Sequence, residues 1–147
     1  MAVTATHTHL AIEAVWRIES AKLIAACHAR ARTPEETDWA RIAALYDALA
    51  RRAPSPVVEL NRAVAHAMAH GPAAGLELAD ALRSETTLKA YHLLPSVRGD
   101  LLAKLGRFGE ARAEFERAAA LTRNAREREL LLGRAAACAR GAIIHPD

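Results

Sequence analysis

Apolar residues recur at three- and four-residue steps along most of the chain. Ile42, Leu45, Tyr46 and Leu49 form one stripe, Leu101, Leu102 and Leu105 another, and Leu130, Leu131 and Leu132 sit in the last. That spacing puts one side chain per turn on a single helix face, as a half-buried helix requires. No run alternates apolar and polar residues with period two, so no strand is expected. Proline, glycine and small polar residues interrupt the stripes at Arg32–Glu36, Ala53–Pro56, Gly71–Pro72, Ser84–Thr87, Gly106–Gly109 and Arg123–Asn124. The stretches between them run about 12 to 22 residues, the length of ordinary helices.

Capping chemistry marks several starts. Thr33-Pro34-Glu35-Glu36 sets a Thr before a Pro with Glu at the third helical position, and Ser55-Pro56 opens the next helix in the same way. Asn124 is placed to cap the last helix. Asp38 falls in a first helical turn, at the positive end of the dipole, and Trp39 is expected to pack on the preceding helix. The pattern predicts an all-α domain over 16–140 of about seven helices. An N-terminal extension over 1–15, partly frayed, precedes it, and a tail over 141–147 follows.

The segment from Gly99 to Ala118 resembles the tetratricopeptide consensus. Small residues stand where two helices must approach (Gly99, Ala111, Ala118), Phe115 fills the gap, and Gly106 makes the turn. Gly71 lies 35 residues before Gly106, close to the ~34-residue period of such repeats. Val57–His70 and Ala73–Arg83 then form a middle pair. Trp16–Ala31 and Glu36–Arg52 form a first pair, and Ala125–Arg140 is a closing helix. The expected architecture is a right-handed solenoid of stacked antiparallel pairs, each burying its face on the next.

A longer series of motifs points the same way. Residues Thr37 to Leu49, Pro54 to Ala65, Gly71 to Leu76, Tyr91 to Pro95 with Arg98, Leu105-Gly106-Arg107, Ala118 to Leu121 and Asn124 to Arg128 occur in order. Together they resemble the tetratricopeptide-like C-terminal extension of bacterial extracytoplasmic-function (ECF) sigma factors, over roughly 20–135. In that family the extension follows two sigma regions that read the promoter and bind RNA polymerase. The resemblance implies a regulatory role in transcription initiation through protein contacts, with the sigma regions, RNA polymerase or a small regulatory protein as partner. Only Met1–Val15 precedes the extension here, so the chain reads as an excised domain or as a stand-alone descendant.

Composition refines this picture. Hydrophobic residues make up 52% of the 147 residues but aromatics only 4%, so alanine and leucine, both strong helix formers, must build the core. The formal charge is +3, with the excess at the C-terminal end: residues 98–140 hold ten Lys/Arg against six Asp/Glu. A solvated arginine-rich surface accounts for that. No basic and aromatic residues interleave as a base-stacking surface would require, which disfavours direct nucleic-acid binding. Cys27 and Cys138 are far apart and read as small core residues. No stretch has the length of a membrane span or the pattern of a signal peptide, so a cytoplasmic protein is expected.

The candidate partner-binding residues are Asn61 and Arg62 on the first helix of the middle pair, with Tyr91, His92 and Arg98 at the next unit. First helices line the concave groove of such a stack; an Asn amide can clamp an extended backbone, and an Arg can pair with a carboxylate. The competing reading makes Asn61 and Arg62 a bridge between neighbouring helices, and Tyr91 and His92 half-buried contacts. His66 and His70, four apart on one helix, are weak metal candidates that lack a third ligand. They also suggest an alternative function, a ligand-binding or catalytic domain using a pocket lined by His66, His70, His92 and Tyr91. His7 and His9 lie near the start and could bind metal only incidentally. No nucleophile–base pair, GxSxG, phosphate-binding glycine loop or paired catalytic carboxylates is legible, so no catalytic residue and no cofactor is assigned. A poorly covered end of the stack would leave room for a homodimer.

Overall fold

The computed structural model describes residues 38–141. Expectations for Trp16–Ala31, the Thr33-Pro34 cap, Cys27, His7 and His9, the 1–15 extension and 142–147 of the tail lie outside the described residues. Within them the chain is all-helical: α1 (Trp39–Arg52), α2 (Pro56–His70), α3 (Pro72–Asp80), α4 (Leu93–Lys104), α5 (Phe108–Leu121) and α6 (Ala125–Gly141), with a 3-10 turn at Thr86–Leu88. No described helix is long and apolar enough to cross a membrane.

The helix boundaries follow from local chemistry. Asp38 stands one position outside the first turn, as the N-cap of α1, and its Oδ1 accepts the Arg41 N–H at 3.0 Å. The carboxylate thus satisfies an orphan donor directly as well as facing the helix dipole. Pro56 and Pro72 open α2 and α3, where a missing N–H costs nothing. Ser55 precedes Pro56 as expected, but its hydroxyl makes no cap hydrogen bond. Asn124 caps α6, its Oδ1 accepting from Arg126 N at 3.0 Å and Glu127 N at 3.2 Å. The turns after α2 and α4 need positive φ, 103° at Gly71 and 77° at Gly106, a region glycine enters without a Cβ clash. The expected Ala73–Arg83 helix ends early, at Asp80, and gives way to consecutive turns that lead into the 3-10 segment.

Each helix packs chiefly on its neighbours in the chain, with a lesser contact between α2 and α4. The core is correspondingly divided. Ile42, Ala43 and Ala65 join α1 to α2, with Trp39 and Tyr46 packed against them. Leu60, Ala63, Ala79, Leu82, Leu88 and Leu94 tie α2, α3 and the 3-10 turn to the start of α4. The largest cluster gathers Leu101, Leu102, Ala111, Phe115, Ala118, Leu131, Ala135 and Cys138 from α4, α5 and α6. Cys138 is a buried free thiol in that cluster, and burial pushes its pKa up.

Close approach is built from small residues, as the sequence suggested for Gly99. A Cβ placed there would come within 2.8 Å of the Phe115 ring. At Gly75 on α3 the approach is to backbone: a Cβ would sit 2.7 Å from the Ala63 carbonyl oxygen and 3.0 Å from Ala67 Cα, and would also meet the Ala67 Cβ.

Candidate functional site

Helices α2, α4 and α6 bring one face each to a shared groove of about 250 Å³. Val64, Ala67 and Met68 line it from α2, Ser96, Val97, Asp100 and Lys104 from α4, and Arg134 from α6. Helical spacing extends these faces. Val57 and Asn61 fall on the same side of α2 as Val64 and Met68, Leu93 on the side of Ser96 and Asp100, and Leu130 on the side of Arg134. Of the six large exposed hydrophobic side chains among the described residues, Met68 lines the groove, and Val57, Leu93 and Leu130 lie farther along the same three faces, the last 64% exposed. An apolar rim left open to water in this way marks a surface suited to a partner.

Polar chemistry at the groove is anchored at one end. Asp100 pairs with Lys104 at 2.9 Å and with Arg134 across from α6. Desolvation pushes the Asp100 carboxyl up, but hydrogen bonds from Lys104 and Arg134 outweigh it and hold the pKa below its ordinary value. Arg134 also lies over the Phe115 ring, 4.5 Å from its centroid, a cation–π contact that fixes the guanidinium. Asn61 is exposed, and its amide has no hydrogen-bond partner among the described residues. It remains available to an extended backbone.

The other sequence candidates go elsewhere. Arg62 follows Asn61 but points about 100° away around the helix. Its Nε donates to Asp47 Oδ1 on α1 at 2.6 Å, and its Nη1 donates to Glu59 Oε2 at 3.0 Å. It bridges neighbouring helices, as the competing reading had it, while Asn61 does not. His66 Nε2 lies 2.8 Å from the same Asp47 oxygen, and its ring stands 5.5 Å from that of His70. Desolvation raises the Asp47 pKa, yet hydrogen bonds from Arg62 and His66 overcome it and the net shift is downward. Among the described residues no group of three or more His, Cys, Asp or Glu could hold a metal ion.

Tyr91 is half-buried against the Leu60–Leu94 cluster. His92 sits at the N-terminus of α4 with its Nε2 2.9 Å from Glu127 Oε1 on α6. Glu127 also accepts from Thr122 Oγ1 at 2.7 Å; that bond and the His92 contact lower its pKa. The histidines are thus held apart, His66 on Asp47 and His92 on Glu127, and neither lines the groove. Arg98 turns away from it as well. It is 7% exposed, with Nε donating to Asp80 at 2.9 Å and Nη1 2.8 Å from Glu114 on α5. Desolvation lowers the Arg98 pKa, but the two carboxylates more than reverse the effect.

Of the five residues proposed from sequence none lines this groove, and only Asn61 lies on one of its helix faces with its polar group unengaged. Val57, Met68, Leu93 and Leu130 were missed. For Val57 and Met68 the available signal was their spacing with Val64, which puts an apolar stripe on the side of α2 opposite the Arg62–His66 flank.

Comparison with known proteins gives one relative. The chain is 52% identical over 104 residues to an uncharacterized protein of Rhizobium meliloti, an alignment covering 71% of this chain and 24% of the relative. The chain therefore spans about a quarter of that relative's length. No family model matches the chain, and no solved structure does.

Proposed function

We propose that this chain is a protein-interaction module, a tetratricopeptide-like right-handed stack related to the C-terminal extension of ECF sigma factors. It acts in transcription initiation by holding a segment of the sigma regions, RNA polymerase or a small regulatory protein in the α2–α4–α6 groove. The observation that carries the reading is the groove itself, lined by exposed Met68, on helix faces that by helical spacing also present exposed Val57, Leu93 and Leu130 and the unpaired amide of Asn61. Apolar side chains of an extended segment would fill the rim while Asn61 bonds its backbone. Packing between successive helices and the glycine turns at Gly71 and Gly106 support the repeat reading.

The test is surface-immobilised binding to RNA polymerase core enzyme and to the paired sigma regions of an ECF sigma factor. Wild-type domain is compared with an Asn61→Arg/Met68→Glu variant of equal helicity by circular dichroism. Wild type should bind one of the two, and the variant should lose at least about tenfold in affinity, as expected when a central contact is removed. Equal binding by both forms, or no binding by wild type to either protein, defeats the proposal.

A further inference from the structure

A second depression, about 480 Å³, lies on another side of α4, between the turns that follow α3 and the C-terminal half of α5. Leu88, Leu94, Pro95 and Leu121 give it apolar walls, and Arg83, Lys89 and Arg117 stand around its mouth. Its volume falls in the range of small-ligand pockets, about 300–1,000 Å³.

The charges here do not balance. Four cations line the pocket, Arg83, Lys89, Arg98 and Arg117, against one carboxylate, Glu114, with Asp80 beside it as the second partner of Arg98. Glu114 is committed to Arg98 at 2.8 Å, and Arg117 reaches it only at 3.5 Å. Arg83 and Lys89 have no carboxylate within ion-pair distance among the described residues. An exposed cation contributes little by itself in water. Two unpaired cations beside an apolar recess are different, because a ligand with a matching apolar body holds its anion against them. A nucleic-acid backbone brings the anion without an apolar body to match the recess.

We infer that this pocket binds an organic carboxylate carried on an aliphatic body, with the carboxylate held by Arg83 and Lys89 and the chain seated on Leu88, Leu94, Pro95 and Leu121. Such a group is supplied either by a free aliphatic acid or by a short acidic–aliphatic peptide segment. The site shares no residue with the groove and does not rest on the sigma-related reading.

The experiment is a set of amide 1H–15N titrations of the whole chain at low salt, about 50 mM, where exposed charges are least screened. The probes are octanoate, octan-1-ol and octyltrimethylammonium, with an acetylated Asp-Leu-Asp tripeptide as a fourth arm. Octanoate should move the Ser84, Lys89, Leu94 and Leu121 amides and bind about tenfold more tightly than the alcohol, the effect of one charge-assisted contact. The ammonium probe should bind less tightly than the alcohol. Arg83→Glu/Lys89→Glu should abolish the octanoate advantage; Arg83→Gln/Lys89→Gln serves if charge reversal disturbs the fold. Tripeptide binding tighter than octanoate assigns the anion to a protein segment, and the reverse assigns it to a free acid; either order upholds the site. Equal binding of all three octyl probes, shifts on another surface, or an undiminished octanoate affinity in the double variant overturns it.

Discussion

Glycine-to-alanine changes at three positions separate close helix approach from intrinsic helix preference. Alanine favours a helix interior over glycine by about 0.8–1 kcal/mol, so in open space the change should stabilise. Gly133 on α6 offers that control, since nothing lies within 4 Å of an added Cβ. At Gly99 the added carbon meets the Phe115 ring at 2.8–3.1 Å, and Phe115 is only 1% exposed, so the ring has little room to withdraw. Overpacking of this kind costs about 1–3 kcal/mol, which leaves a net loss of about 0–2 kcal/mol after the propensity gain. Gly75 is worse, because the obstacles include the Ala63 carbonyl oxygen at 2.7 Å and Ala67 Cα at 3.0 Å. Backbone cannot rotate aside, so α2 and α3 must separate, and the cost should reach the upper part of the overpacking range, about 2–3 kcal/mol, a net loss of about 1–2 kcal/mol after the same propensity gain. Urea denaturation followed at 222 nm, with thermal melts as a second reading, measures all three. At roughly 4 °C per kcal/mol, Gly133→Ala should melt slightly above wild type, Gly99→Ala at or below it and Gly75→Ala well below. A Gly75→Ala protein as stable as Gly133→Ala would refute the close packing of α2 on α3.

Two further outcomes follow from the ion pairs. Arg98→Met strands Glu114, whose side chain is 8% exposed, and should cost about 3–5 kcal/mol, whereas Arg98→Met/Glu114→Met should return close to wild-type stability; paired urea titrations decide it, and a double variant as unstable as the single one contradicts the reasoning. Asp47 and Asp100 both have folded pKa values below the ordinary 3.8, so the unfolded chain takes up their protons first as pH falls. Their contribution is complete above about pH 4 and is lost below it. Urea midpoints from pH 7 to 2 should show a flatter acid limb in Asp47→Asn/Asp100→Asn than in wild type, and parallel limbs would contradict the assignment.

Local signals read well from the sequence where one interaction dominates. The Asn124 cap and the glycine turns at 71 and 106 each depend on a single residue type meeting a fixed geometry, and the Gly99–Phe115 contact was read from the resemblance of its segment to the tetratricopeptide consensus. The groove was legible only in part. Asn61 was found because the first helix of a pair is expected to line the groove, while Val57 and Met68 were not singled out because hydrophobicity does not say which of two apolar faces will be covered. Arg98 misled for the opposite reason. Helix α4 buries Leu94, Pro95, Gly99, Leu101 and Leu102 around much of its circumference, so its periodicity cannot tell a groove-facing arginine from one enclosed between α3 and α5. The carboxylates that enclose it, Asp80 and Glu114, lie 18 and 16 positions away in the chain, beyond any local pattern.

The ion pairs also have a common placement that bears on how an alanine-rich stack keeps its register. The buried faces of α2 and α5 mix small and large residues, Ala63 and Ala65 with Val58 and Leu60 on one, Ala111, Ala118 and Ala119 with Phe115 on the other. Where alanine faces alanine the ridges are shallow, and those contacts by themselves resist a one-turn slide less than the Gly99–Phe115 and Gly75–Ala63 approaches do. The buried Arg98–Glu114 pair has no such tolerance, since a shift of about 5.4 Å separates the partners and leaves a desolvated ion alone, while the half-exposed pairs add a weaker preference for the same register. Asp47 fixes α1 to α2 through Arg62 and His66, Arg98 fixes α4 to both α3 and α5, and Arg134 and Glu127 fix α6 to α4 through Asp100 and His92. With the rows of α2, α4 and α6 held in step, Asn61, Asp100 and Arg134 keep their positions along the groove. The polar residues that look like site candidates in the sequence are thus mostly what holds the exposed apolar site in place.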